Sequence, residues 1–217
     1  MATLRTYAEN VVRLASGAIF TDESPYDERY VYDVVNSARA HVLRADYIKN
    51  RRWAHQAIQN HLPEYEQYFQ DSVCYTRFEL PTGFIQGNAS SDGLAYFGSS
   101  TDKIFRHQNF RRIKSRNELT DFLGNATMTM ANGRYVGVLI EGLIATVISK
   151  DVIKNPMIAG VFQSPQKFDW YNLDSDEYPF PPDLDYQLLE VVKNGTIKTI
   201  LIKNPDYLSD SRTAPQK

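Results

Sequence analysis

The chain holds a single cysteine, Cys74. One thiol excludes an intramolecular disulfide and falls short of the thiolate set of a Cys-rich zinc site, a pattern suited to synthesis in a reducing cytosol. Long hydrophobic runs are missing as well. Nothing approaches the roughly 18 apolar residues of a membrane span, and the opening MATLRTYAENVVRLASG lacks the apolar block of a secretory signal. The expectation is a soluble chain with no membrane contact, intracellular when made.

Motifs that carry chemistry are equally scarce. There is no GxxxxGK[ST] loop and no strand-linked GxGxxG to cradle a phosphate, and no HExxH, HxH or paired-cysteine cluster to ligate a metal. The histidines are His41, His55, His61 and His107; His55 and His61 stand six apart on a predicted helix, on different faces, which argues against a shared ion. No GxSxG elbow is present, and Cys74, within the alternating VCYTRFEL, reads as a buried apolar thiol. Carboxylates crowd LDSDEYPFPPDLD, yet Asp174, Asp176 and Glu177 lack the glycine and the twelfth-position ligand of a calcium loop. Asp183 reads as a helix cap. No catalytic residue, cofactor or metal is expected. A carboxylate hydrolase would need two of these acids to converge in a pocket.

What is present is an ordinary folded composition, 42% hydrophobic and 23% charged over 217 residues, with 14 Tyr and 11 Phe to supply cores and interfaces. The net charge of −2 hides a segregation. Residues 102–118 carry six basic side chains (Lys103, Arg106, Arg111, Arg112, Lys114, Arg116) against two acidic ones, and residues 169–190 carry seven acids and no base. Such asymmetry steers a charged partner, or mates one copy's basic face to its neighbour's acidic face.

Periodicity predicts an α+β protein: N-terminal helices and a C-terminal helix forming a small helical core, with a β-rich insertion in the middle. Thr3 caps a first helix with Leu4, Ala8, Val11, Val12 and Ala15 on one face, stopped by Gly17. Ser24 and Pro25 start a second, with Val31, Val34, Val35, Ala38, Val42 and Ala45 at helical spacing. It is predicted to run to about Lys49, bend near Asn50, and resume as a further helix to His61, where Pro63 ends it.

From Val73 short alternating runs take over. VCYTRFEL, GLAYFGS, IFRHQNFRRI, GRYVGVLI, GLIATVIS and MIAGVFQS read as strands, ELTDFLG as a helical turn, and Asn132-Gly133 as a hairpin signal. Pro182 or Asp183 begins a last helix over 184–194, with Leu184, Leu188, Leu189 and Val192 inward; TIKTILI continues as helix or strand. The predicted divisions are 1–72 (helical core), 73–164 (β-rich insertion), 165–204 (helical return) and 205–217 (polar tail).

Two surfaces invite partners. KIFRHQNFRRIK interleaves Phe105 and Phe110 with arginines, which suits a single-stranded nucleic acid or a half-buried strand whose arginines meet acids across a subunit boundary. Arg51-Arg52-Trp53 suits an interface anchor, as Arg and Trp are over-represented at binding hot spots.

The order of motifs resembles the head–tail connector (neck ring) proteins of crAss-like and related short-tailed bacteriophages. The resemblance lies in the D-E-R helix start at Asp27, Glu28 and Arg29, and in the A-R-A step at Ala38, Arg39 and Ala40. It continues in the G-x-F-x-x-P turn at Gly160, Phe162 and Pro165, and in Y-P-x-P-x-x-L at Tyr178, Pro179, Pro181 and Leu184. It spans nearly the whole chain, with residues 73–143 alike only in general character.

Those relatives often end in a longer NN-rich acidic tail, where this chain runs through TIKTILIKNPDYLSDSRTAPQK. The resemblance implies a non-enzymatic virion structural protein, made in the host cytoplasm. It would form a ring of about twelve copies against the portal and other neck and tail proteins, a place that allows non-specific contact with DNA in the channel. The implied interface comprises Arg39, Arg51, Arg52, Trp53, Arg111, Arg112, Trp170, Tyr178 and Phe180, the last two offered outward by the stiff Pro179–Pro182 segment. A tail or capsid-decorating protein, or a nucleic-acid or carbohydrate-binding module, would share the composition.

Overall fold

The computed structural model describes residues 2–16, 28–87, 93–101, 110–124 and 136–196. The protein is α+β, with helices toward both ends of the sequence and a mixed sheet in the middle. It divides into two units, Met1–Gln56 with Ser164–Lys217, and Ala57–Gln163. The β-rich unit thus begins at Ala57 rather than at Val73.

In the helical unit, Thr3 Oγ1 accepts the Thr6 N–H at 3.2 Å and opens α1 (Leu4–Ser16). Leu4, Tyr7, Ala8, Val11 and Val12 are buried along one stripe. In α2 (Glu28–Asn50) the buried stripe runs through Val31, Val34, Val35, Ala38, Val42 and Leu43. The predicted caps at Ser24 and Pro25, Asp27 of the helix start, and the stop at Gly17 lie outside the described residues.

The second helix expected up to His61 does not form. Arg51 takes a left-handed conformation (φ 57°) and donates its N–H to Tyr47 O at 2.7 Å, ending α2 as a glycine ordinarily would. A short 3₁₀ turn, His55–Ala57, leads into strand β1 (Gln59–His61). Pairing with a strand a hundred residues later overrides local helical spacing there.

The β unit holds two sheets. In the larger, the order is β2 (Tyr65–Gln70), β3 (Val73–Glu79), β7 (Ile144–Ser149), β6 (Val136–Glu141), β5 (Phe110–Ile113); only β5 and β6 run parallel. In the smaller, β8 (Pro156–Gly160) lies between β1 and β4 (Leu94–Ser99). Strand β2 was not anticipated. It joins β3 through a two-residue turn in which Asp71 and Ser72 both have positive φ, 49° and 63°. That geometry follows the right-handed twist of the paired strands.

The 10°-tilted stack of Phe78 on Phe97 bridges the two sheets, and Phe84 stacks on Phe162 at 4.5 Å. On the opposite face of the larger sheet, α3 (Arg116–Gly124) sets Phe122 against Ile113, Leu139 and Ile148. Ser115 Oγ accepts the Glu118 N–H at 3.2 Å while Glu118 Oε2 accepts the Lys114 N–H at 2.6 Å. This reciprocal capping arrangement starts the helix at Arg116, ahead of the ELTDFLG stretch expected as a helical turn. The hairpin signal at Asn132-Gly133 lies outside the described residues.

The chain returns to the helical unit at Ser164 and a 3₁₀ turn, Pro165–Lys167; a second 3₁₀ turn, Pro182–Leu184, leads into α4 (Asp185–Val191) and a π turn, Val192–Thr196. Leu184, Leu188 and Val192 are buried as expected, but Asp183 makes no capping bond; proline geometry starts the helix without it. Residues 197–217, including TIKTILI and the tail, lie outside the described residues. No described helix is long and apolar enough to cross a membrane.

Candidate functional site

The proline-stiffened segment expected to face a neighbour instead closes the helical unit. Tyr178 and Phe180 are 1% and 3% exposed. Tyr7 of α1 lies 5.1 Å from the Tyr178 ring and meets Phe180 edge-on at 6.3 Å. The Tyr7 hydroxyl donates to the Asp185 carboxylate at the start of α4. Three aromatic rings and a carboxylate therefore join the first helix to the last.

Arg39 completes this node. It is fully buried; its Nε donates to Pro179 O at 2.9 Å, and its guanidinium lies 5.4 Å from the Tyr178 ring centroid. Tyr178 in turn donates to Asn36 Oδ1 at 2.8 Å, and Asn36 Nδ2 donates to Gln166 Oε1 at 2.9 Å. Burial holds the Arg39 guanidinium below its ordinary pKa and pushes the phenols of Tyr7, Tyr171 and Tyr178 up. Three expected contact residues, Arg39, Tyr178 and Phe180, are thus withdrawn from the surface: a cation over an aromatic face, bonded to a carbonyl, is worth more buried than solvated.

The other expected contacts stay accessible. Arg51 and Arg52 are exposed, and Trp53 is half-buried, stacked on Tyr47 at 4.5 Å. Arg52 and Trp53 border a cleft of about 420 Å³ lined also by Asp46, Asn50 and Asp183. Trp170 is 54% exposed and leans on Phe168.

On β5 the two arginines separate. Successive strand residues face opposite sides, so Arg111 is exposed while half-buried Arg112 donates from Nη1 to Val138 O at 3.2 Å. They do not form one patch. Lys103, Phe105 and Arg106 of the same stripe lie outside the described residues.

The acidic stretch is partly consumed by its own loop. Asn172 Oδ1 accepts the N–H groups of Asp174 and Ser175, Asp176 Oδ2 accepts the Asn172 N–H at 2.8 Å, and Asp174 pairs with Arg5 at 3.0 Å. Asp169, Glu177, Asp183 and Glu190 remain exposed. Among the described residues, no group of three or more His, Cys, Asp or Glu is placed to hold a metal ion.

Glu64, Glu66 and Glu79 do line one cleft of about 490 Å³ with Arg77 among them, at the far end of the larger sheet. All three acids are solvent-exposed, so nothing excludes water from them. Cys74 is buried, and its thiol is pushed up by burial. Sequence reasoning missed β1 and β2; the local signal for β2 was Asp71-Ser72 between YEQYFQ and VCYTRFEL.

The chain matches no protein-family model and no curated protein.

Proposed function

We propose that this chain is a non-enzymatic structural protein of a bacteriophage virion, a ring-forming connector in the neck between portal and tail. The order of motifs it shares with such proteins suggests the role. The observation that carries it is local, a matter of two segments rather than of the units' total charge. Residues 169–190 expose Asp169, Glu177, Asp183 and Glu190, and the end of edge strand β5 exposes Arg111 and Lys114.

Complementary patches on different units of one chain favour a heterologous contact, in which one copy's basic strand edge meets the next copy's acidic segment. Such contacts close into a ring when the rotation between copies closes. Trp170 and the Arg52–Trp53 corner supply the large, poorly hydrated side chains that anchor protein interfaces. Synthesis in the host cytoplasm, followed by incorporation into the virion, accords with the lone buried thiol.

The test is the solution mass of the purified chain over a concentration series, with and without the portal protein of the same phage. A closed oligomer of about twelve copies, alone or on the portal, supports the reading. A monomer that ignores portal and neck proteins at every concentration removes it. Arg111→Glu is expected to weaken the assembly at low salt more than at high salt, since surface charge pairs are screened.

A further inference from the structure

Strand β2 closes one side of the larger sheet, and among the described residues nothing pairs on its outer edge. The register shows which groups are left over. Gln70 and Val73 flank the two-residue turn, so they exchange both backbone hydrogen bonds; the same holds for Tyr68 with Tyr75 and Glu66 with Arg77. The N–H and C=O groups of Tyr65, Gln67 and Phe69 therefore point away from the sheet.

The side chains along this edge are unusual for solvent. Tyr65, Tyr68 and Phe69 are 39%, 47% and 61% exposed, and Leu62 just before the strand is 63% exposed. Tyr68 is held flat against Tyr75, ring centroids 5.1 Å apart and 5° from parallel. Edge strands left open are ordinarily blunted by lysine, proline or a bulge. Here β2 has none of these; it is a regular, aromatic strand of six residues.

We propose that β2 receives an added strand from a second copy of this chain, and that the added strand is the segment 197–203, Ile-Lys-Thr-Ile-Leu-Ile-Lys. Three arguments select this occupant. The chain continues for 21 residues past Thr196, the last described, and this segment follows at once. Its composition, four branched apolar residues and a threonine between two lysines, is that of a strand. Its charges also fit. Lys198 and Lys203 are separated by the same spacing as Glu66 of β2 and Asp71 of the turn that follows it, both exposed.

Strand addition of this kind takes its affinity from main-chain hydrogen bonds and its specificity from alternate side chains. The apolar side chains of 197–203 would cover Tyr65, Phe69 and Tyr68. This contact is separate from the charged patches at Arg111 and Asp183, and it does not depend on the neck role.

The test uses full-length chains. Because Cys74 is the cross-strand partner of Phe69, every chain carries Cys74→Ala; Phe69→Cys in that background is mixed with a tagged chain carrying Thr199→Cys, Ile200→Cys or Leu201→Cys, used singly, under mild oxidation. A disulfide joining the two different chains, in at least one of the three mixtures and in clear excess over either variant alone, is the expected result. No excess in any mixture overturns the proposal, as does a chain bearing both cysteines that closes only on itself.

Phe69→Pro removes an outward N–H without touching the bonds to β3. Its solution mass is expected to fall to that of a chain ending at Thr196, with an unchanged melting temperature. A mass equal to the parent's overturns the assignment. The parent's charge dependence, read through Arg111→Glu, separates a failure here from a failure of the connector reading.

Discussion

Tyr178 and Asn36, 142 positions apart in sequence, share a buried hydrogen bond of 2.8 Å from the phenol to Oδ1. The bond ties the returning segment to α2 and holds the Tyr178 ring beneath the Arg39 guanidinium. A segment fastened in this way is part of the core of the helical unit.

Tyr178→Phe keeps the ring and its contact with Tyr7 but deprives Asn36 of its donor, at a cost of about 1–2 kcal/mol. Arg39→Ala loses the bond to Pro179, the ring contact and the side-chain volume together, and is expected to cost roughly 3 kcal/mol. Urea denaturation followed by helical circular dichroism reads both. Equal, near-zero losses would mean that the node contributes nothing to stability.

Alkali should unfold the helical unit by a defined route. Burial raises the phenol pKa of Tyr7, Tyr171 and Tyr178 in the folded chain, while an unfolded tyrosine titrates near 10. The folded state therefore keeps protons that the unfolded state releases. Their contribution is fully present below about pH 10 and is lost as pH rises toward the folded values. Tyrosinate absorbance from the three buried phenols is expected to appear only with loss of helix signal. A single phase at the ordinary tyrosine value would contradict the burial.

Gly160 sits where no side chain fits. A Cβ there would lie 2.4 Å from Phe84 Cε1 and 2.6 Å from Gly93 O. Gly160→Ala is expected to cost about 1–3 kcal/mol by overpacking. Gly137→Ala meets only side-chain ends, Ile113 Cδ1 at 2.6 Å and Phe122 Cε1 at 2.8 Å, and should cost less. Thermal melts of the two variants check the order.

Cys74 should resist alkylation in the native chain. It is buried beside the β3–β7 register at Ser149, and its thiol is held above the ordinary value by desolvation. A neutral-pH thiol reagent is expected to react on the timescale of unfolding and at once in denaturant. Rapid native labelling would show that the sheet opens locally.

The legible parts of this fold are those whose signal is local. The stripe of α2, the alternation of β3, and the β6–β7 pair around Gly142 each follow from residues within one element or one turn. The β1 strand was hidden because its reason for being extended, pairing with Gly160 to Ile158, lies a hundred residues away. The end of α2 at Asn50 falls where the bend was expected, and left-handed Arg51 makes it; what stayed hidden is that no helix resumes beyond it.

The same distance effect misplaced the surface. A cationic Arg39 on an amphipathic helix and a tyrosine between prolines both look solvent-facing until Asn36, Tyr7 and Pro179 are brought beside them. Arg51, Arg52 and Trp170, which nothing distant claims, stayed where local chemistry put them.

The insertion of the β unit between α2 and Tyr178 also sets an order of events during translation. Arg39 emerges 140 residues before Pro179, the carbonyl it binds. At about 5–20 residues per second this is a delay on the order of ten seconds. Throughout it the apolar stripes of α1 and α2 lack the segment that covers them, and the β unit becomes complete in sequence before that segment arrives. A chain released before Tyr178 would carry a foldable sheet and an unfinished pair of helices. Quality control acting on that exposed pair would therefore discard incomplete products before they could reach an assembly.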